Sequence, residues 1–217
     1  MTVYCISGLG ADHRAFERLT WPESTHVVYL PWLEPLPKES LSQYAQRLAE
    51  PIITHEPFVL VGLSFGGIIS VELLQWLKPE KTILLSSIAD AAQLPWYFRL
   101  AGKTGLHQTA LAKQLKQNQW FIDSLFGQKN TPLALYLKEH FAAMSDNYLT
   151  WSLNSILNWG QNEKPTNVIQ IHGSADRVFP IEYAKPDIVI RGGSHFMVYT
   201  HAKQVSKHLH DLLNYQR

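Results

Sequence analysis

Ser64 stands in the run Phe58-Val59-Leu60-Val61-Gly62-Leu63-Ser64-Phe65-Gly66-Gly67: an apolar stretch of strand length, a serine with a glycine two residues to either side, then an apolar stretch of helix length. A serine at a sharp strand-to-helix turn carries its hydroxyl at the tip, in strained geometry where neighbouring side chains would collide. Gly62 and Gly66 remove those collisions, and Gly67 lets the helix lie close to the sheet. The helix N-terminus then aims free N–H groups at whatever the hydroxyl attacks. That is a nucleophile beside part of an oxyanion site. A serine in a tight turn can also do no more than cap the helix, so the chemistry depends on what else the chain brings to this point.

Three other segments carry reactive groups where a strand-like run stops: Ser7-Gly8-Leu9-Gly10, His172-Gly173-Ser174-Ala175-Asp176-Arg177-Val178-Phe179-Pro180, and Arg191-Gly192-Gly193-Ser194-His195-Phe196. In chain order with Ser64 they supply a serine, an aspartate and a histidine. A serine hydroxyl is a poor nucleophile at neutral pH and needs a base; His195 suits that part, with Asp176 to hold the imidazole in one tautomer and stabilise its cation. Among 10 histidines most are structural, and His172, at a strand end, reads as a packing residue. Asp12, His13 and Arg14 read as the cap and anchor of a first helix, with His13 or Arg14 able to line an entrance.

The elements that must position these groups follow from periodicity. Val3–Ile6, His26–Leu30, Phe58–Leu63, Thr82–Ser86, Asn167–Ile171 and Asp187–Ile190 read as strands. Helices are expected over Ala11–Leu19, after the Ser40/Gln43 capping box with Leu41, Tyr44, Ala45, Leu48, Ala49 and Ile52 on one face, from the Ser64 turn to about Leu77, and from about His201 to Leu213 with Ala202, Val205, Leu209 and Leu212 inward. From Asp90 to Gly160 only helical periodicity remains, with Thr131-Pro132 opening one helix and Asp146 capping another. Strands alternating with helices require a doubly wound α/β sheet of six parallel strands, whose active crevice lies beyond the carboxyl ends of the strands. The expected organisation is a core from residues 1–89 and 161–217, with a helical cap at 90–160 inserted in it.

Composition narrows the classes. With 217 residues, 46% apolar and 17% charged, the chain can fold around one substantial core. A formal net charge of +1 with scattered Lys and Arg points to no nucleic-acid partner and no acidic membrane surface. No apolar stretch reaches the ~20 residues needed to span a bilayer. One cysteine, Cys5, and a start without a leader pattern read as a cytoplasmic protein. No metal-ligand cluster and no nucleotide-type glycine loop stands out, so no cofactor and no metal is expected.

In these motifs the chain resembles the α/β-hydrolase superfamily: the glycine loop after the first strand, the G-x-S-x-G elbow, H-G-x-x-D-x-x-x-P and the final G-G-x-H, over Val3 to about Leu213. The resemblance implies that Ser64 is the nucleophile, Asp176 the acid and His195 the base, with the backbone N–H groups of Leu9 and Phe65 as oxyanion donors. Asp90 occupies the place where a few members of that superfamily carry the acid. Two departures stand out. Ser7 replaces the histidine usual before the loop glycine, and the usual pair of leading antiparallel strands is absent.

The resemblance also implies that the cap covers the nucleophile, and the apolar Trp96, Tyr97, Phe98, Trp120, Phe121, Phe126, Trp151 and Trp159 are candidates for a pocket roof, although packing between cap helices explains any single one of them. So aromatic a cap favours a small apolar acyl or aryl substrate. The function expected is a serine hydrolase, carboxylesterase-like, cleaving a small uncharged carboxylic ester or thioester through an acyl-enzyme. A triad-dependent C–C hydrolase or lyase, with Lys103, Lys113 or Lys116 assisting, and a non-hydrolytic ligand-binding member of the fold are the alternatives. Acyl chain, leaving group and oligomeric state are not determined by the sequence.

Overall fold

In the structure, a computed structural model that describes residues 1–105, 114–126 and 131–214, the six apolar runs pair side by side as parallel strands. They are β1 (Thr2–Ile6), β2 (His26–Leu30), β3 (Phe58–Leu63), β4 (Lys81–Leu85), β5 (Val168–Gly173) and β6 (Ile188–Ile190), in the order β2-β1-β3-β4-β5-β6. Every neighbouring pair is parallel. The central β3 is buried along its whole length, whereas edge strands β2 and β6 are partly exposed. The continuous Phe58–Leu63 apolar run is what a strand covered on both faces demands.

The chain leaves β1 outward to β2 and then crosses back to β3 on the other side of β1. That reversal opens a crevice between the carboxyl ends of β1 and β3. The Ser7–Gly10 loop leaves one strand there, and the Ser64 turn leaves the other.

Among the described residues the helices are α1 (Leu41–Leu48), α2 (Phe65–Leu73), α3 (Trp96–Thr104), α4 (Gln119–Phe126), α5 (Pro132–Ala143), α6 (Asp146–Leu157), the single turns α7 (Ile181–Ala184) and α8 (Met197–Thr200), and α9 (Ala202–Asn214). The capping box of α1 forms as the Ser40/Gln43 spacing predicts. All of α2 except Glu72 is buried, because it is apolar around its full circumference and sits between sheet and neighbouring helices. Between β4 and β5 the described residues hold helices and turns only. No helix of the described residues is long and apolar enough to cross a membrane.

Several expectations are corrected. Ala11–Leu19 is not an α-helix but a 3₁₀ turn over His13–Phe16, flanked by three-residue turns. The Asp12 carboxylate accepts from Arg14 N–H and Ala15 and Phe16 are drawn into the core, so short-range bonds win over a continuous helix. Helix α2 stops at Leu73 in a series of turns instead of running to Leu77. Ser145, not Asp146, caps α6, with its hydroxyl accepting from Tyr148 N–H. In α9 the buried apolar residues are Val205, Leu209 and Leu213, while Ala202 and Leu212 are half-buried.

Candidate active site

Ser64 leaves β3 with φ +52° and ψ −119°, a conformation that L-residues rarely adopt, and its surroundings hold it there. Its N–H donates to Leu85 O at 2.9 Å, and its carbonyl accepts from the Ser87 hydroxyl at 2.6 Å and from Gly67 N–H at 2.9 Å. The flanking glycines are needed for close approach. A Cβ on Gly66 would come within 2.2 Å of Ile6 O and 2.3 Å of Ser7 O, and one on Gly62 within 2.4 Å of Gly67 Cα. The Ser64 hydroxyl makes no capping bond to α2.

It bonds instead to a base. His195 Nε2 lies 2.8 Å from Ser64 Oγ, and His195 Nδ1 lies 2.8 Å from Asp176 Oδ2. With Nδ1–H donating to the carboxylate, the Nε2 lone pair faces the serine. The aspartate belongs to the turn after β5, where Asp176 N–H donates to Gly173 O and Ala175 N–H to Gly193 O, tying that turn to the histidine loop after β6. Phe179 packs edge-on against the His195 ring at 5.7 Å.

The Asp176 carboxylate accepts four N–H groups. Oδ1 takes those of Val178 (2.8 Å) and Phe179 (3.0 Å), and Oδ2 takes His195 and, at 3.2 Å, His172 Nε2. Burial alone would raise this carboxyl. The neighbouring charge of His195 and the bonds from His172 and His195 outweigh it and hold the group below the ordinary carboxylate range. His172 therefore does more than fill space. Its Nε2 also lies 2.7 Å from Phe179 O, an acceptor, so Nε2 carries the proton. Its position before the H-G-x-x-D turn could have marked it as a neighbour of the acid.

Asp90 is elsewhere, its side chain accepting from Ala92 and Gln93 N–H at the start of a turn. Asp12 and Arg14 meet α5 through Tyr136, whose hydroxyl donates to Asp12 at 3.0 Å and whose ring lies under the Arg14 guanidinium at 3.9 Å. Burial pushes the Cys5 thiol up, which leaves it inert. Among the described residues no group of three or more His, Cys, Asp and Glu is gathered as a metal site would require.

The loop after β1 comes up against the serine: a Cβ on Gly8 would stand 3.2 Å from Ser64 Cβ. Leu9 lines the same small cavity as Ser64, and Phe65 is the next residue in the chain. Among the described residues no acceptor outside helix and strand ladders takes the N–H of either. Gly8, Leu9, Ala11, Leu63, Ser64, His195, Phe196 and Leu125 of α4 line a cavity of about 20 Å³.

The aromatic residues between β4 and β5 divide differently from a single roof. Tyr97, Phe98, Trp120 and Phe121 line a groove of about 480 Å³ together with the Asp176 turn. Trp96 and Trp120 are 60% and 63% exposed. Trp151 packs on Tyr44 and Phe65, and its indole donates to Glu39 O; Trp159 donates to Glu72. Those two seat α6 and the turn after it on the sheet domain. The Phe126 side chain and Lys113 lie outside the described residues. Lys116 is bound to Asp146 and Met144 O, and Lys103 sits in the last turn of α3. A surface depression of about 960 Å³ along α9, by Arg18 and Lys203, contains none of the site residues above.

A family model described as the alpha/beta hydrolase family matches residues 3–208. No curated protein sequence matches the chain. Among solved structures the chain is similar to a hydrolase from Pseudomonas aeruginosa, with a TM-score of 0.75 at 13% identity, covering 98% of this chain and 89% of that one. It is also similar to a thermophilic esterase from Thermogutta terrifontis, with a TM-score of 0.67 at 12% identity and 99% and 89% coverage. A third is the enol-lactonase from Burkholderia xenovorans LB400, with a TM-score of 0.67 at 13% identity and 98% and 91% coverage.

Proposed function

The chain belongs to the alpha/beta hydrolase family, and from that premise we propose that it is a serine hydrolase of the carboxylesterase type, with Ser64 as nucleophile, His195 as base and Asp176 as acid. The observation that carries the reading is the unbroken series from Ser64 Oγ to His195 Nε2 and from His195 Nδ1 to Asp176 Oδ2, each contact 2.8 Å. In attack, the Ser64 hydroxyl proton passes to His195 Nε2 as Oγ bonds to the carbonyl carbon. The oxyanion is met by the N–H groups of Leu9 and Phe65. Collapse expels the alcohol, which takes the proton from His195, and leaves an acyl-Ser64. Water, deprotonated by the same imidazole, then releases the acid. One oxyanion donor is worth roughly 3–4 kcal/mol to such a step.

The substrate read from the surroundings is a small, uncharged ester. The 20 Å³ space at the serine admits little more than the reacting carbonyl, and the neighbouring groove offers mostly apolar surface with Arg177 and Glu182 at its edge. The helices from Trp96 to Leu157 act in this reading as the cap. A buried, unpaired Cys5 accords with a reducing, cytoplasmic setting. Incubation with p-nitrophenyl acetate and butyrate should give a burst of one product per enzyme, with Ser64→Ala at least about 10³-fold slower. Equal turnover by both proteins would remove the assignment.

A further inference from the structure

Ser7 stands where a histidine would precede the loop glycine, and its hydroxyl is fully committed. It donates to Ala11 O at 2.6 Å and accepts from the indole N–H of Trp32 at 2.8 Å. The Ser7–Ala11 bond closes a ring around Leu9, and Ala11 N–H returns to Gly8 O at 3.0 Å. The Leu9 N–H can therefore change direction only if this clasp opens.

The same indole reaches the other donor. Its ring lies parallel to that of Phe65, with centroids 5.4 Å apart and 9° between the planes. Trp32 is itself held from both sides. The following residue, Leu33, is bonded through N–H and C=O to the Tyr44 hydroxyl at 2.9 and 2.8 Å, and the edge of Tyr148 from α6 meets the indole at 5.8 Å. The two donor-bearing segments approach closely, since even a Cβ on Gly66 would come within 2.2 Å of Ile6 O and 2.3 Å of Ser7 O.

We propose that Trp32 is a positioning residue for the oxyanion site: its N–H locks the Ser7–Ala11 clasp that orients Leu9, while its ring face sets Phe65, so one side chain aligns both donors. The inference rests on the acyl-transfer reading above. It differs from a plain core role in its kinetic signature. A packing residue contributes equally to ground and transition states, whereas donor alignment matters chiefly once charge has developed on the carbonyl oxygen.

The test uses Ser7→Ala, which removes the clasp and leaves every aromatic contact in place, and Trp32→Phe, which removes the N–H and part of the stack. Each is compared with wild type for p-nitrophenyl butyrate kinetics, for inhibition by an alkyl trifluoromethyl ketone, whose adduct carries the oxyanion, and for labelling by a fluorophosphonate. Expected are falls in kcat of about 10-fold for Ser7→Ala and about 30-fold for Trp32→Phe, with ketone affinity falling in parallel and KM within about twofold. The double variant should be no more than about threefold worse than Trp32→Phe, because both act through one clasp. Ser7→Ala decides the matter should Trp32→Phe melt early. A wild type that the fluorophosphonate labels, with Ser7→Ala unchanged in kcat and ketone affinity or altered in KM alone, overturns this inference only. A wild type that is not labelled overturns the acyl-transfer reading and this inference with it.

Discussion

The strand ends and the helical segment between β4 and β5 meet over Ser64, and they are held by different forces. At the strand ends several polar groups are tied to backbone or to a buried partner: the Ser64 carbonyl to Ser87, the Asp176 carboxylate to four N–H groups, the Ser7 hydroxyl to Trp32 and Ala11. The helical segment buries Phe141, Leu149 and Ile156 in the shared core, while polar ties such as Ser145 and Asn147 to Glu34 and Tyr136 to Asp12 lie nearer solvent, and it leaves Trp96 and Trp120 largely in water. Opening a network of buried bonds costs far more than parting ties that water can replace. The difference teaches where adaptability lies: under the proposed function the chemistry would rest on the tightly bonded rim, and selectivity on the part that can reseat.

The sharpest test of that contrast is Asp176→Asn. It keeps the shape of the rim but reverses what the group offers Nδ1 of His195, so kcat/KM should fall by about 10⁴-fold at neutral pH. A loss below about tenfold would make the rim less committed than its bonds suggest. The acid limb has a sign as well. The folded carboxyl is held below its unfolded value, so its contribution to stability is fully present above the ordinary carboxylate range and is lost as pH falls through the folded value. Urea melts of wild type and Asp176→Asn should therefore converge only in strong acid.

A smaller effect is expected over the serine. Leu125→Ala trims a side chain that lines the small cavity, and should raise turnover of p-nitrophenyl octanoate relative to acetate by about 10-fold, at a stability cost of about 2 kcal/mol. Unchanged chain-length preference would mean that α4 does not limit access. The smallest belongs to the seat of α6. Arg47 forms paired bonds to Glu39 at 2.9 and 2.8 Å, and the backbone of Glu39 takes the Trp151 indole. Glu39→Gln should cost about 1 kcal/mol and lower Tm by about 2–4 °C at pH 7. The Glu39 carboxyl is held low, first by the hydrogen bonds from Arg47. Its stabilisation is therefore lost as pH falls through that lowered value, and the two melting curves should meet only once the pH is below the ordinary carboxylate range.

How much could be read in advance followed the range of the interaction. Strands such as Phe58–Leu63 were legible because burial on both faces forces an unbroken apolar run, and the α1 capping box because both partners lie within four residues. The Ala11–Leu19 segment misled, since its turn depends on a carboxylate and core contacts that periodicity does not record. His172 read as packing although it stands only four residues before Asp176, because the fold of the intervening turn, which brings its Nε2 to the same carboxylate as His195, is not written in periodicity. Trp32, 25 residues from Ser7 in the chain, carried no sequence signal at all.

By itself, then, the sequence determined the parallel α/β order and the glycine-flanked serine with a histidine and an aspartate after later strands. Those features are written in neighbouring residues and in the period of burial. Only the tertiary structure decided that Asp176 and not Asp90 faces His195, that Leu125 lines the cavity at the serine while Trp151 and Trp159 seat a helix, and that Trp32 bridges Ser7 and Phe65. Such contacts join residues far apart in the chain, and they are set by how the strands cross over and how side chains fill the remaining space, which no local pattern encodes.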